Sequence, residues 1–358
     1  MPNHITNILR IGGEPQQIKE MMEAIKEDEY GIGSIDFNKI IPMPKSLSIE
    51  AGSRTDKGLK AYRDFIEVYT LSGTVEQDLL NIPLDCENAF LRMRTDVSRE
   101  DWNLGKIAFQ NIQKYGAPTW YEWSIQHWGT KWNAYDFPDK SMQNNDAELR
   151  FMTAWSAPHP IIQTLAEKYP SIDFIHEWAD EDIGHNCGRH KFHNGQRVSE
   201  YYPENDKEAI EFAEKVMETN AGDWGLYLNA SETDYILLPN DEFETVEILG
   251  QTALFANHRM NATEIPKGMY LYHMRQSDDG EAFATIEPSV AVNHGGSVIT
   301  KQPINFGEEG YISFNDENYP NFTGESMTLE KFYYTDLTQN SDESAGMDGM
   351  SQETGMKL

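Results

Sequence analysis

A dense block of tryptophan is the feature that most constrains how this chain can fold. Five of its eight tryptophans fall within thirty-six residues: Trp120, Trp123, Trp128, Trp132 and Trp155. An indole ring is large and carries one polar N–H group, so such a block either nucleates a core or builds a binding face. The block therefore points to architecture or recognition rather than to catalysis.

Helical spacing within the block favours a helix that buries one face. Trp120, Trp123 and His127 stand at i, i+3 and i+7. Thr119 is a predicted N-cap for this helix, and Gly129 is predicted to end it. A single buried face would place most of these rings in a core.

We accordingly expect Trp123, Trp128 and Trp155 to be mostly buried, joining the helix to a sheet. Trp120 and Trp132 are retained as candidate binding residues. Stacking on nucleic-acid bases is a further alternative, but it needs exposed aromatic rings flanked by cations. Few cations stand near the block: Lys131, Lys140 and Arg150.

Strand patterns and helix patterns alternate over residues 1–222. Alternating or β-rich runs predict strands over residues 4–9, 34–41, 131–135, 148–155, 171–180 and 188–198. Apolar residues at helical spacing predict helices over residues 15–25, 55–69, 102–115, 120–127, 158–168 and 204–219. This mixture indicates an α+β domain.

The second part of the chain changes to short β-rich runs separated by turns, from Thr233 onward. These runs predict a small, mainly antiparallel β-rich domain over residues 230–336. Residues 338–358 are small and polar and cannot bury enough apolar surface to order themselves. We therefore predict that they form a disordered tail.

The charge balance is strongly acidic, with 59 Asp and Glu against 29 Lys and Arg and a formal net charge of −30. Such a chain repels nucleic-acid phosphate and attracts basic partners, although solubility alone also accounts for the acidity. Between Glu232 and Pro320 fifteen acidic residues face four basic ones. This region is our first choice for an acidic binding face, with these candidate residues: Asp278, Asp279, Glu281, Glu308, Glu309, Asp316 and Glu317.

Cysteine content and hydropathy bear on where the chain works. Cys86 and Cys187 do not make a disulfide framework, which suits a reducing compartment. The first residues lack a basic leader followed by an apolar run, and no segment reaches about eighteen consecutive apolar residues. We expect a cytoplasmic protein with no membrane partner.

The segment from His185 to His193 is the strongest metal candidate. Four groups of the kind that bind zinc stand within nine residues: His185, Cys187, His190 and His193. Their spacing fits no standard zinc finger, and strand alternation would place His185 and Cys187 on one face and His190 on the other. We predict no bound metal, and we keep a small metal-dependent enzyme at this cluster as an alternative.

Catalytic motifs offer no other assignment. The chain has no P-loop, no G-x-S-x-G, no dinucleotide-binding glycine motif and no H-E-x-x-H. His127, Trp128 and His159 could suggest acid–base work, but no acidic residue stands beside them in an orienting motif. We predict no catalytic residues and no cofactor.

Four motifs in the first part of the chain are similar to a family found on plasmids, phages and genomic islands. They are NHITNILRIGG from Asn3, FNKIIPMP from Phe37, WYEWSIQHWGTKWNAYD from Trp120 and FMTAWSAPHPII from Phe151. Residues 1–200 resemble the YubB-like, or Api-like, ferredoxin-like domain family. The resemblance implies a ferredoxin-like antiparallel sheet, which we expect to carry its helices on one face.

Three later motifs resemble a large polyvalent protein-associated domain over residues 232–335. They are VEILGQTALFANHRM from Val246, IPKGMYLYHMRQSDDG from Ile265 and VAVNHGGSVITKQPI from Val290. Both resemblances imply the setting of a mobile genetic element. Neither brings a catalytic motif to this chain.

Acidity and this setting together favour a non-enzymatic binding protein. Its carboxylates would stand in for phosphates and engage a basic, nucleic-acid-binding host or defence protein, as an anti-restriction or anti-CRISPR inhibitor would. It would not bind nucleic acid itself. Two alternatives stay open: an accessory factor of conjugation or replication that uses the tryptophan-rich face, and the metal-dependent enzyme at His185–His193.

Overall fold

The computed structural model describes residues 3–71, 82, 84–138, 147–276, 284–287, 296–308, 312–313 and 321–335. The chain divides into two units, Met1–Asn220 (unit 1) and Ala221–Leu358 (unit 2). The predicted disordered tail, residues 338–358, lies outside the described residues.

Unit 1 is built on a five-stranded sheet. Its strands are β1 (His4–Gly12), β2 (Glu148–Ala154), β3 (Asp173–Asp180), β4 (Gly188–His193) and β5 (Gln196–Tyr201). They lie in the order β2-β1-β3-β4-β5, and every neighbouring pair is antiparallel. The antiparallel sheet with its helices confirms the predicted α+β fold class. The run predicted as one strand over residues 188–198 is a hairpin of β4 and β5.

Helices fill much of the chain between these strands. They are α1 (Pro15–Ile25), α2 (Phe37–Ile40), α3 (Ser53–Leu71), α4 (Leu84–Met93), α5 (Arg99–Tyr115), α6 (Trp120–Trp128), α7 (His159–Lys168) and α8 (Asp206–Met217). Thr119 caps α6 by accepting from the N–H of Tyr121, and Gly129 ends it at a φ of 77°, as predicted. Among the described residues, no helix combines the length and apolar character needed to cross a bilayer.

The larger core of unit 1 lies on one face of the sheet. Leu9, Phe151 and Phe174, from three adjacent strands, pack there against apolar residues of α1, α2, α6 and α7. Leu9 and Phe174 are essentially inaccessible to solvent. Apolar side chains at alternate strand positions are thereby removed from water, which stabilises the fold.

The opposite face of the sheet is covered by α8, so the expectation of helices on one face was wrong. Ile8 and Arg150 are register partners and share that opposite face, where Ile8 is fully buried. The guanidinium Nη2 of Arg150 lies 2.7 Å from Oε1 of Glu218, the C-cap residue of α8. The buried stripe of α8 gives this second face the apolar cover it needs.

The predicted strand over residues 34–41 is wrong, because this segment contains the short helix α2. Asp36 caps the helix by accepting from the N–H of Asn38 at 2.9 Å. Phe37 and Ile40 are three residues apart and both are buried. This spacing places both side chains on one side of a helical turn, whereas a strand would direct them to opposite faces.

The predicted strand over residues 131–135 is also wrong. This segment makes only an isolated bridge between Tyr135 and Met152 on β2, with reciprocal N–H to carbonyl bonds of 3.1 and 2.8 Å. It runs beside the outer edge of the sheet. The edge strand β2 is therefore partly covered by a loop.

Unit 1 also contains a second, helical core formed by α3, α4 and α5. Tyr62 and Trp102 meet edge to face there, with ring centroids 5.1 Å apart. Gly58 and Gly105 lie where α3 and α5 cross. A Cβ added to Gly58 would stand 1.7 Å from the carbonyl oxygen of Asp101, so the two backbones approach more closely than any side chain would allow.

Unit 2 is rich in β-structure, as predicted. Its strands are β6 (Leu226–Leu228), β7 (Tyr235–Leu237), β8 (Glu242–Ile248), β9 (Gln251–Ala256), β10 (Tyr270–Gln276), β11 (Ala284–Glu287), β12 (Ser297–Thr300), β13 (Ile312–Ser313) and β14 (Asn321–Thr328). Within the described residues, β13-β11-β10-β12-β9-β8-β14 form one sheet and β6-β7 another. A short helix, α9 (Leu329–Tyr334), packs Leu329 and Phe332 into the core.

Candidate binding surfaces

The structure divides the tryptophan block between core and surface. Trp123 and Trp128 lie in the larger core of unit 1, 4% and 3% exposed, as predicted. The indole N–H of Trp128 donates to the carbonyl of Ile41 at 2.9 Å, so its polar group is satisfied inside the core. Trp120 and Trp132, the candidate binding residues, are partly exposed.

Trp155 is 41% exposed, so the prediction that it is buried was wrong. It directly follows β2 and has a φ of 74°, in the left-handed region that bulky residues seldom adopt. This backbone turn ends the in-and-out alternation of the strand. The ring of Tyr121 meets the exposed indole edge-on, with centroids 5.9 Å apart.

The ammonium of Lys131 lies over two indole rings. Its Nζ is 4.7 Å from the ring centroid of Trp132 and 4.6 Å from that of Trp155. Both distances fall within the roughly 6 Å range of a cation–π interaction. We call the following residues the aromatic surface: Trp120, Tyr121, Lys131, Trp132, Tyr135 and Trp155.

Hydrogen bonds to the backbone fix the position of Lys131 on this surface. Thr130 Oγ1 donates to the carbonyl of Ala154 at 2.7 Å and accepts from its N–H at 3.2 Å. The N–H of Lys131 donates to the same carbonyl at 3.3 Å. The Ser124 hydroxyl donates to the carbonyl of Lys131 at 2.5 Å. The segment is thereby held against the end of β2.

A second network holds Trp155 around the buried carboxylate of Asp180, which is 5% exposed. The N–H of Trp155 donates to the carbonyl of Asn3 at 2.9 Å, and the Asn3 amide donates to Asp180 at 3.1 Å. The Asn186 amide donates to the carbonyl of Trp155 and to Asp180, both at 3.4 Å. These bonds maintain the strained backbone of Trp155 and satisfy a buried charge.

Carboxylates lie close to the aromatic surface. Burial, together with the negative charges of Glu181 and Asp136, raises the pKa of Tyr135 to about 12. The Tyr135 hydroxyl is 2.6 Å from Nδ1 of His4, and its ring centroid is 6.4 Å from that of Trp132. The surroundings of this surface are therefore acidic as well as aromatic.

The His185–His193 segment does not assemble a metal site. His185 and His193 are exposed, and Nδ1 of His193 lies 2.7 Å from a carboxylate oxygen of Asp173. Cys187 and His190 are buried, and burial raises the pKa of the Cys187 thiol. In the described part of the chain, no three His, Cys, Asp or Glu side chains are placed to hold a metal ion.

Three histidines from different elements meet in the core beside Trp178. The ring of His159 lies 4.5 Å from Trp178, 4.8 Å from His190 and 5.8 Å from His176, centroid to centroid. Nε2 of His176 is 3.0 Å from Asn7 Oδ1. Nδ1 of His159 and Nδ1 of His176 are buried without a hydrogen-bond partner.

Burial is the main cause that keeps these imidazoles neutral. It lowers the pKa of His159 to about 4 and lowers the pKa values of His176 and His190, and the positive charge of Arg197 adds to the effect at His159 and His190. The sequence does not reveal this cluster, because no local motif joins residues that are seventeen and fourteen positions apart. His127, the other histidine considered for acid–base work, stacks on Trp123.

Only one of the seven acidic candidate residues of unit 2 lies in the part of the chain that the structure describes. Glu308 is exposed, and the other six candidate carboxylates lie outside the described residues. Strand β8 exposes two further carboxylates, Glu242 and Glu244, which are not among the candidates from the sequence. The alternate residues Phe243 and Thr245 are buried. The neighbouring strand β14 adds the exposed Glu325.

Comparison with known proteins finds one family match in each part of the chain. Residues 127–220 match the ferredoxin-like domain in Api92-like protein, and residues 239–334 match large polyvalent protein associated domain 28. The crystal structure of a protein api92 from Yersinia pseudotuberculosis matches at 12% identity, over 57% of this chain and 99% of that chain, with a TM-score of 0.25. The comparison with curated proteins finds no match. Residues 127–220 are thus similar to an Api92-like ferredoxin-like domain and residues 239–334 to a large polyvalent protein associated domain, which confirms both predicted resemblances.

Proposed function

We propose that this chain is a non-enzymatic binding protein of a mobile genetic element, and that unit 2 binds a basic, nucleic-acid-binding protein of the host or of a defence system. Both domain matches support the mobile-element setting. The net charge of −30 supports the basic character of the partner. Binding would block the partner's nucleic-acid site, as an anti-restriction or anti-CRISPR inhibitor does.

The row of carboxylates on β8 is the observation that carries this proposal. Glu242 and Glu244 are successive outward positions of one strand. Alternate residues of a strand are about 6.6 Å apart along its axis. This spacing is close to the rise of two base pairs of DNA, at about 3.4 Å each. The hydroxyl of Ser326 on β14 donates to Glu242 at 2.7 Å, which helps to fix that carboxylate.

Charge attraction gives this interaction a characteristic kinetic signature. Complementary charges accelerate diffusional encounter, and dissolved salt screens them. Association with the partner should therefore slow steeply between low and physiological salt. Nucleic acid should not bind to the same surface, since both carry negative charge.

Charge reversal of the β8 row tests the proposal. Partners are captured on the full-length chain from a host lysate at low salt and identified by mass spectrometry, and the association rate of the purified partner is then measured. The double variant Glu242→Lys with Glu244→Lys should slow association at least tenfold and flatten its salt dependence. Both side chains are exposed, so the folded structure should persist, which circular dichroism checks.

A matched control reverses two exposed carboxylates in unit 1, Glu14→Lys with Glu29→Lys, which changes the net charge equally. This control should keep most of the association rate. The proposal fails if both double variants behave alike, or if the native chain shifts a DNA or RNA probe at physiological salt.

An accessory factor of conjugation or replication is the second candidate function, favoured by the exposed ring of Trp155. In that case the partner would be lost on Trp155→Ala and kept when the β8 carboxylates are reversed. The same captured partner therefore discriminates between the two candidate functions.

A further inference from the structure

The aromatic surface holds a cation of its own, which shows what chemistry the site accepts. The ammonium of Lys131 lies 4.7 and 4.6 Å from the ring centroids of Trp132 and Trp155. Two indoles at these distances are arranged as the walls of a cation-binding cage, because the negative ring faces attract positive charge. Lys131 occupies this cage from within the same chain.

We propose that Trp132 and Trp155 form a cage for an arginine or lysine side chain of a basic partner protein, and that Lys131 is the internal cation which this side chain displaces. The site rests on the proposed function only for the basic character of the partner. It lies in unit 1 and uses none of the unit 2 carboxylates.

The construction of Trp155 supports a binding role. A large ring is kept 41% exposed at a φ of 74°, a conformation that stores strain and persists only when the surroundings enforce it. The bonds from Trp155 to Asn3 and from Asn186 to Trp155, both anchored on the buried Asp180, supply that enforcement. A ring held outward in this way loses little freedom when it binds, which favours affinity.

The charges around the cage favour a cation over an anion. Glu181 and Asp136 act on the neighbouring Tyr135 hydroxyl, and their carboxylates would attract a guanidinium or an ammonium. An anionic ligand would instead be repelled by these carboxylates. Arginine should bind better than lysine, because its planar, weakly hydrated guanidinium stacks on aromatic rings.

Substitution of Lys131 distinguishes a cationic ligand from an anionic one. The full-length chain is labelled with ¹⁵N, and its indole N–H signals are assigned through Trp132→Phe and Trp155→Phe. The probe is a short peptide in which arginine alternates with serine, beside the same peptide with glutamate for arginine. Lys131→Ala removes the competing cation and should tighten binding of the arginine peptide about twofold to tenfold, read from the Trp155 signal.

Lys19→Ala is the matched control, since it removes an exposed cation of unit 1 elsewhere and lowers the net charge equally. Lys19→Ala should change the dissociation constant of the arginine peptide by less than about twofold, which is the smallest effect expected of Lys131→Ala. Trp155→Leu should abolish the response of the Trp132 signal to the arginine peptide. Its indole signals away from the surface should stay in place, which shows that the fold is kept.

The cage is refuted if Lys131→Ala weakens binding of the arginine peptide, or if neither indole signal moves with that peptide. It is equally refuted if the glutamate peptide is the one that binds, because the site would then accept anions through Lys131. Charge reversal at Glu242 and Glu244 should not change these peptide affinities beyond the effect of Glu14 and Glu29 reversal. Failure of the cage and failure of the unit 2 proposal are therefore distinguishable.

Discussion

At the scale of single residues, the tryptophans of one sequence block have opposite roles. Trp128 fills the larger core and satisfies its N–H on the carbonyl of Ile41, whereas Trp120 stays partly exposed. We predict that Trp128→Ala lowers the free energy of unfolding by about 3–5 kcal/mol, the cost of a large buried cavity. Trp120→Ala, the matched truncation, should cost much less. Urea unfolding of unit 1 measures both, and an unchanged midpoint for Trp128→Ala would mean that this ring does not support the core.

The buried imidazoles make stability depend on pH. The pKa of His159 falls from its ordinary value of about 6.5 to about 4 in the folded chain, so below pH 6.5 the unfolded state binds more protons. The stability that this neutral ring contributes is complete above pH 6.5. It is lost as the pH falls towards 4, by at most about 3 kcal/mol.

A substitution isolates this effect from the carboxylates that also titrate at low pH. His159→Gln should flatten the loss of stability between pH 6.5 and 4, as measured by urea unfolding at several pH values. His185→Gln, at an exposed position, should leave the slope as it is in the native chain. Equal slopes in all three proteins would contradict the assignment to His159.

At the scale of elements, the crossing of α3 and α5 depends on two glycines. A Cβ at Gly58 would stand 1.7 Å from the backbone oxygen of Asp101, and one at Gly105 would stand 2.0 Å from the backbone of Gly58. Neither contact can be relieved by a side-chain rotation. Gly58→Ala should therefore separate the helices and destabilise the helical core by about 2 kcal/mol or more, despite the better helix propensity of alanine.

Gly12→Ala is the control for this crossing, because its added Cβ would meet only the Cβ of Asp173 at 3.7 Å, an ordinary contact. Thermal unfolding followed by circular dichroism compares the two variants with the native chain. If Gly58→Ala raised the midpoint, helix propensity rather than the close approach would decide stability at this position.

Local signals predicted those elements whose stability is itself local. Thr119 and Gly129 bound α6 as expected, because capping uses only neighbouring backbone groups. The strand predicted around Phe37 is wrong. The apolar spacing of this segment fits both a strand and one helical turn, and an amide that is distant in sequence supports the helix cap. Asn133 donates to the capping carboxylate of Asp36 at 2.7 Å, a contact made across ninety-seven positions. No pattern within the segment records that bond.

The candidate sites show the same limit more sharply. The sequence shows how many tryptophans the block contains. The exposure of Trp155, however, follows from hydrogen bonds to Asn3 and Asn186, which are remote in sequence. The cluster of His159, His176 and His190 is likewise created by the register of β3 and β4 and by the packing of α7. Composition predicted an acidic binding protein, and only the fold shows which carboxylates share a strand.

At the scale of the whole molecule, acidity acts on folding and on binding at once. Unit 2 holds twenty-three acidic against six basic residues, and unit 1 holds thirty-six against twenty-three. Even if every Lys and Arg paired with one carboxylate, thirty carboxylates would remain without a cationic partner. Mutual repulsion among them should therefore outweigh the salt bridges that dissolved salt weakens.

This balance predicts salt effects of opposite sign. Raising NaCl from about 20 to about 200 mM shortens the screening length from roughly 20 Å to about 7 Å, so the thermal midpoint of the free chain should rise. Association with the basic partner should slow over the same range, because the attraction that drives encounter is screened. Circular dichroism and association kinetics in the same buffers measure the two effects. Glu242→Lys with Glu244→Lys should reduce the kinetic effect much more than the thermal one, since two charges are a small part of the total but a large part of the proposed contact. If salt left the association rate unchanged or raised it, the acidic strands of unit 2 would not be the surface that attracts the partner.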